Sequence, residues 1–158
     1  MNSRLVKIAP VLLVVLITLL FANLQTNKRA GKDTCWNICG DGRGYYAWLP
    51  AIFIYHDLNF NFSDSVEKKA PDCGPPDGFP IQEYRHNFNG KVCNKYYPGA
   101  SFLMLPFFTA AHLYTKYFTS YPANGYSIYY FRFIALSGEF YYLIGMLFFL
   151  GILRKLQS

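Results

Sequence analysis

The chain has 158 residues, a formal charge of +6, and a composition that is 53% hydrophobic and 20% aromatic. With no basic stripe and no nucleic-acid motif, the positive charge gives no reason to expect a nucleic-acid partner. The apolar residues are bunched rather than periodic, which argues against a water-soluble domain and for a membrane protein.

The first bunch covers residues 8–24, where Thr18 and Asn23 are the only polar side chains. Roughly 17–25 apolar residues are what a bilayer core requires. Arg4 and Lys7 precede the segment, as they would in a secretory signal peptide, but no convincing small-x-small cleavage site follows Phe21. Residues 1–24 are therefore read as an uncleaved transmembrane anchor.

Residues 25–98 are polar and nearly neutral, holding eight of the nine acidic residues beside nine basic ones. Cys35, Cys39, Cys73 and Cys93 all lie in this stretch. An even count in one loop suggests two disulfides in an oxidising compartment, with three pairings open. Zinc is the rival, and it lacks the paired Cys-x2-Cys spacing.

Early in the loop stands Asp41-Gly-Arg-Gly-Tyr-Tyr, followed by Ala-Trp-Leu-Pro-Ala-Ile-Phe-Ile-Tyr. Trp48, Ile52 and Tyr55 recur at helical spacing, which predicts a helix over about 45–58. It is too short to span and apolar on nearly every side, so it is expected to lie in the lipid interface. Pro50 fits if the helix starts near Trp48, because a first-turn proline gives up an N–H that would have no partner. Residues 59–80 carry turn and loop signals. Between 81 and 97, Asn89-Gly90 predicts a tight hairpin joining Tyr84-Arg-His-Asn-Phe to Lys91-Val-Cys.

A second span is expected over about 99–117, kinked at Pro106. A third covers about 128–153, apolar except for Arg132, Ser137 and Glu139. The chain is thus read as an all-α membrane protein: three transmembrane helices, a large extracytoplasmic loop with an interfacial helix and a small hairpin, and a helical hairpin over 99–158. Charge alone gives no orientation, since Lys28, Arg29 and Lys32 outnumber Arg4 and Lys7 while Lys116 speaks the other way. The cysteines place the loop outside.

Asp41 at a membrane surface is suited to act as a general base, and its glycine neighbours let the backbone approach a ligand. It is equally suited to cap the following helix. Lys95 and Arg85, late in the loop, could hold a departing phosphate or simply reach toward lipid headgroups. Tyr45 and Tyr46 are aromatic rings available to stack on a sugar. His56 and Asp57 end the helix, His86 and His112 are read as structural, and Arg132 and Glu139 share a helix face.

Taken in order, the anchor, Asp41-Gly-x-Gly-Tyr-Tyr-x-x-Leu-Pro, the helix ending His56-Asp57, Lys95-Tyr-Tyr-Pro-Gly and Arg132 resemble the N-terminal part of a GT-C superfamily glycosyltransferase. The bacterial membrane mannosyltransferase and aminoarabinose-transferase-like group is the one it resembles. The resemblance implies a polyprenyl-phosphate sugar donor, Asp41 as the essential aspartate of the first extracytoplasmic loop, and Lys95 near the lipid phosphate. It implies a multi-pass protein of the bacterial inner membrane whose partners are the bilayer, the lipid-linked donor and further transmembrane helices. No cofactor follows from it with certainty, and a divalent metal is left open. Members of the family have many more helices, so the chain is expected to be incomplete and inactive alone. The alternatives are a small membrane subunit or assembly factor, or an anchored extracytoplasmic binding loop.

Overall fold

The computed structural model describes residues 9–20, 38, 40–66 and 84–156. These form α1 (Ala9–Leu20), α2 (Asp41–Pro50), a π-helical turn (Ala51–Tyr55), α3 (Phe62–Val66), β1 (Arg85–Phe88), β2 (Lys91–Asn94), α4 (Gly99–Phe118) and α5 (Ile128–Leu156). The protein is mostly helical, with one two-stranded antiparallel sheet. It divides into two units, 1–31 with 136–158 and 32–135.

In the first unit, α1 is an apolar helix whose described part is short for a bilayer crossing; Thr18 returns its hydroxyl to the Val14 carbonyl at 2.8 Å, hiding its polar group. The rest of this unit is the later part of α5. At 29 residues α5 is about 43 Å long, more than the roughly 30 Å of a hydrocarbon core, and little of its apolar stretch is buried.

The second unit is organised around α2. That helix starts at Asp41, four residues earlier than its apolar spacing suggests, with Gly40 (φ 56°) as its cap. Pro50 is consequently its tenth residue and not in its first turn. A proline there has no N–H for the Tyr46 carbonyl and crowds it, and the helix widens into the π-turn immediately afterwards. The Ala51 carbonyl then receives the N–H groups of His56 and Asp57, and His56 ends the helix in the left-handed region (φ 50°).

Nor does α2 lie alone against lipid as an interfacial helix would. Tyr46, Ala47, Leu49, Pro50 and Ala51 are all buried. Ser101, early in α4, donates to the Tyr45 carbonyl, and Phe53 meets Phe108, so the two helices run side by side in the same sense. One core joins Ile38, Tyr46 and Leu49 to Phe108 and Ala111 of α4 and Tyr130, Phe131 and Ile134 of α5. The turn between α4 and α5 is tied in as well. It accepts Tyr46 Oη at the Gly125 carbonyl and Tyr55 Oη at the Asn124 carbonyl, the latter at 2.9 Å.

A second core packs Ala47 and Ala51 on Phe60, Phe62 and Tyr84. Asp57 shapes the loop between the helices. Its carboxylate accepts the N–H groups of Asn59 (2.9 Å), Asn61 (2.8 Å) and Phe62 (3.3 Å), so that α3 starts on a side chain that stands in for a preceding turn. The hairpin forms as expected, with Arg85 opposite Asn94 and Phe88 opposite Lys91. Asn89 and Gly90 both have positive φ, 51° and 78°, the combination a two-residue type I′ turn demands.

Of the three expected spans, α5 alone among the described residues is long and apolar enough to cross a membrane. α4 has the length, 20 residues, but Pro106, Thr109, His112, Thr115 and Lys116 dilute it. Its packing is mixed, with Phe108 and Ala111 in the apolar core. Ser101 and Thr115 are buried against the core while Phe102, Leu103, Leu113 and Tyr117 are exposed. The expected two bridges are also absent at Cys93, a free exposed thiol; Cys35, Cys39 and Cys73 lie outside the described residues.

Two substitutions test this packing. Gly125 has φ +83°, and an added Cβ would sit 3.0 Å from Pro50 Cβ and 3.3 Å from Ile54 Cδ1. Gly125→Ala is expected to lower unfolding stability by about 1–3 kcal/mol, read by denaturation in detergent. Asp57→Ala, which strands the N–H groups at the start of α3, is expected to lose about 1–2 kcal/mol in the same assay, and Asp57→Asn less.

Candidate functional site

Tyr96 is the centre around which the candidate residues gather. Its ring lies on the face of α2 at Gly44, so close that a Cβ there would be 2.0 Å from Tyr96 Cδ2. One turn later on the same face, Trp48 Nε1 donates to the Tyr96 carbonyl at 2.9 Å. The i, i+4 spacing places a glycine and a tryptophan as the two sides of a clasp. Asn94 closes it, donating from Nδ2 to the Gly44 carbonyl at 2.7 Å and accepting the Tyr96 N–H at 2.9 Å through Oδ1.

The clasp brings Tyr96 Oη to Asp41, and the phenol donates to Asp41 Oδ1. Asp41 is the first residue of α2 rather than its cap, so its carboxylate lies beside the positive end of the helix. It is exposed, and among the described residues Oδ2 accepts no hydrogen bond. Tyr45 stands beside Tyr96, ring centroids 5.0 Å apart and planes tilted by 57°. Lys95 extends its Nζ over the Tyr96 ring, 5.2 Å from the centroid, while its backbone N–H bonds to the Tyr84 carbonyl at 3.0 Å. It forms no ion pair among the described residues. An open carboxylate oxygen, an ammonium and the Tyr45 ring are therefore all neighbours of Tyr96.

The bond to Asp41, with lesser contributions from burial and the negative charge beside it, pushes the Tyr96 phenol up to about 12. The protonated phenol is the form that donates. Because this group's folded value lies above its unfolded one, its contribution to stability is complete below about pH 10 and is lost as pH rises through about 12.

Other expected site residues are placed elsewhere. Tyr46 does not face a substrate: it is buried, edge-on to Phe108 (6.0 Å) and Tyr126 (5.9 Å), and burial drives its phenol well above the ordinary tyrosine value. Arg85 is not beside Lys95's ammonium in function either, because its guanidinium is bound to Asp64 at 2.9 Å and to the Phe60 carbonyl at 3.5 Å, bracing β1 against α3. Asp57 is the loop former described above. His112 Nδ1 meets the Tyr130 hydroxyl at 2.6 Å in the interior. No group of three or more metal-ligating side chains occurs among the described residues.

Sequence reasoning passed over Tyr96, Trp48 and Asn94, although all three stand in the segments it singled out. The usable signal was Gly44: a glycine inside a helix has no role in the helix itself and marks a close approach by something else. No family model matches the chain, and neither a curated protein nor a solved structure was found to resemble it.

Removing the carboxylate tests the electrostatics directly. In Asp41→Asn the Tyr96 phenol is expected to fall from about 12 toward the ordinary value of about 10, seen as a phenolate titration by NMR on ring-labelled tyrosine with Tyr96→Phe as the assignment control. An unmoved resonance would show that the bond to Asp41 is not what holds the proton.

Proposed function

We propose that this chain carries the Asp41 site of a GT-C-like membrane glycosyltransferase that moves a sugar from a polyprenyl-phosphate donor to an extracytoplasmic acceptor. The observation that carries the reading is the clasp, which brings an open carboxylate oxygen and an ammonium, far apart in sequence, to the same tyrosine. An acceptor hydroxyl would give its proton to Asp41 Oδ2 as its oxygen bonds to the anomeric carbon. The bond from that carbon to the phosphate oxygen breaks, and the phosphate leaves with its charge beside Lys95. Tyr45 offers a ring for the sugar. A divalent metal, if the reaction uses one, would find its first oxygen ligand at Asp41.

In the same proposal α1 and α5 cross the bilayer, so that the protein is multi-pass, and α4, whose connection to α5 is bound by Tyr46 and Tyr55, lies with residues 25–98 at the outer face of the membrane. The exposed stripe of α4, Phe102, Leu103, Leu113 and Tyr117, supports this, since lipid is the solvent in which such a face costs nothing. α2 runs beside α4 in the same sense, and Asp41 and Lys95 both border Tyr96 at the start of the pair. Further helices, in the same protein or in a partner, supply the remaining walls of a cavity.

The alternative of a small membrane subunit is favoured by one observation, the shallow apolar groove on α5 between Ile144, Leu147, Phe148 and Ile152, which suits a neighbouring helix. Transfer separates the two. In membranes where the chain is joined to the further helices it requires, supplied with a radiolabelled polyprenyl-phosphate sugar, Asp41→Asn is expected to lower transfer by about 100-fold or more at unchanged expression. Lys95→Gln is expected to raise the donor KM. Transfer that survives Asp41→Asn unaltered rules out the base and leaves the subunit reading.

A further inference from the structure

The end of α4, the connection 119–127 and the first turns of α5 carry an aromatic cluster that the candidate site does not use. Tyr114 stacks near Phe118 (5.8 Å) and meets the edge of Tyr129 (5.1 Å), and Tyr121 packs edge-on to Tyr129 (5.5 Å). Much of this surface is open: Tyr117 is 66% exposed, Phe118 76% and Tyr121 53%. Two cations lie among the rings. Lys116 Nζ is 5.6 Å from the Tyr117 centroid and Arg132 Cζ 5.8 Å from that of Tyr129, and both residues are exposed.

Among the described residues these charges have no counterion. Between Glu83 and Glu139 the sequence contains no Asp or Glu at all, and neither Lys116 nor Arg132 forms an ion pair among the described residues. An exposed aromatic patch of this kind marks an interaction surface. We propose that it binds the anionic headgroups of a lipid bilayer, with the tyrosine and phenylalanine rings at headgroup depth and Lys116 and Arg132 on the phosphates. Tyrosine suits that layer because its ring is apolar and its hydroxyl wet. Guanidinium and ammonium groups supply the charge complement. The helix that begins at this face runs on into a long apolar stretch, with Glu139 its one charged residue before Arg154. A soluble partner would have no use for that continuation. This inference rests on the membrane part of the reading above and not on sugar transfer.

The test uses the full chain reconstituted in bilayers of phosphatidylcholine with about 30% phosphatidylglycerol, probed with spin-labelled forms of each lipid. The wild type is expected to immobilise phosphatidylglycerol in preference to phosphatidylcholine, and the preference to shrink as salt is raised. Lys116→Gln and Arg132→Gln are each expected to reduce it about fivefold. The pair Lys116→Arg with Arg132→Lys keeps the charges and is expected to retain it, which separates lost charge from lost folding. Equal immobilisation of the two lipids by the wild type overturns the proposal. So does a double Gln variant with undiminished preference, which would assign the effect to Arg154 and Lys155. A preference that persists in a protein whose transfer ignores Asp41→Asn would sink the enzyme reading alone.

Discussion

The contact between the Tyr96 ring and Gly44 is the constraint on which the candidate site depends. No side chain larger than hydrogen fits at that point of α2, and the ring that occupies the space ties the loop before α4 to the start of α2. Once the ring is seated, its hydroxyl can only reach one neighbour of the right kind, and that is Asp41. Trp48 bonds the Tyr96 carbonyl and Asn94 its N–H, so with Asp41 at the phenol the residue is held by three hydrogen-bonding groups and by shape. Lys95 borders the ring because it is the neighbour of Tyr96 in the chain.

The rest of the second unit supports α2 from its other sides. Tyr46 and Tyr55 reach the turn before α5 with their hydroxyls, and each buries its ring on the way. This is the economical use of tyrosine in a crowded interior, where the ring supplies apolar area and the hydroxyl satisfies a carbonyl that no secondary structure claims. Pro50 sits at the middle of that arrangement. The widened turn after it changes which residues follow the helix face, and it places His56 in a left-handed conformation that turns the chain back over Trp48 and Ala51. Arg85 and Asp64 then close the hairpin against α3.

The second unit buries a few polar side chains beside its apolar cores and leaves apolar ones exposed. Ser101, Thr115 and Ser127 are buried, and the Oγ atoms of Thr115 and Ser127 have no hydrogen-bond partner, while large apolar side chains on α4 face outward. Phe108 and Ala111 of α4 join the apolar core, so the inward face of this helix is mixed while much of its outward face is apolar. That mixture explains why α4 reads as only moderately apolar in sequence. Ser101 and Thr115 face inward, and the outer stripe carries much of the hydrophobicity.

The sequence by itself determined the helical character, the hairpin and the aromatic excess, because these depend on local pattern: Asn89-Gly90 requires its turn whatever surrounds it, and a long apolar run such as that of α5 is legible as composition. It also picked out the two segments of the candidate site, Asp41-Gly-Arg-Gly-Tyr-Tyr and Lys95-Tyr-Tyr-Pro-Gly. Only the tertiary structure decided their relation. Nothing in periodicity could show that α2 begins at Asp41, since Gly42 and Gly44 blur its face, nor that Pro50 would be absorbed by a π-turn. Tyr45 and Tyr46 are adjacent and chemically identical, yet one lies beside the exposed carboxylate and the other in the core, because successive helical residues point about 100° apart and the neighbours of α2 are contributed from distant parts of the chain. Arg85 was taken by Asp64 for the same reason: which partner a charge finds is a property of packing, and sequence spacing does not contain it.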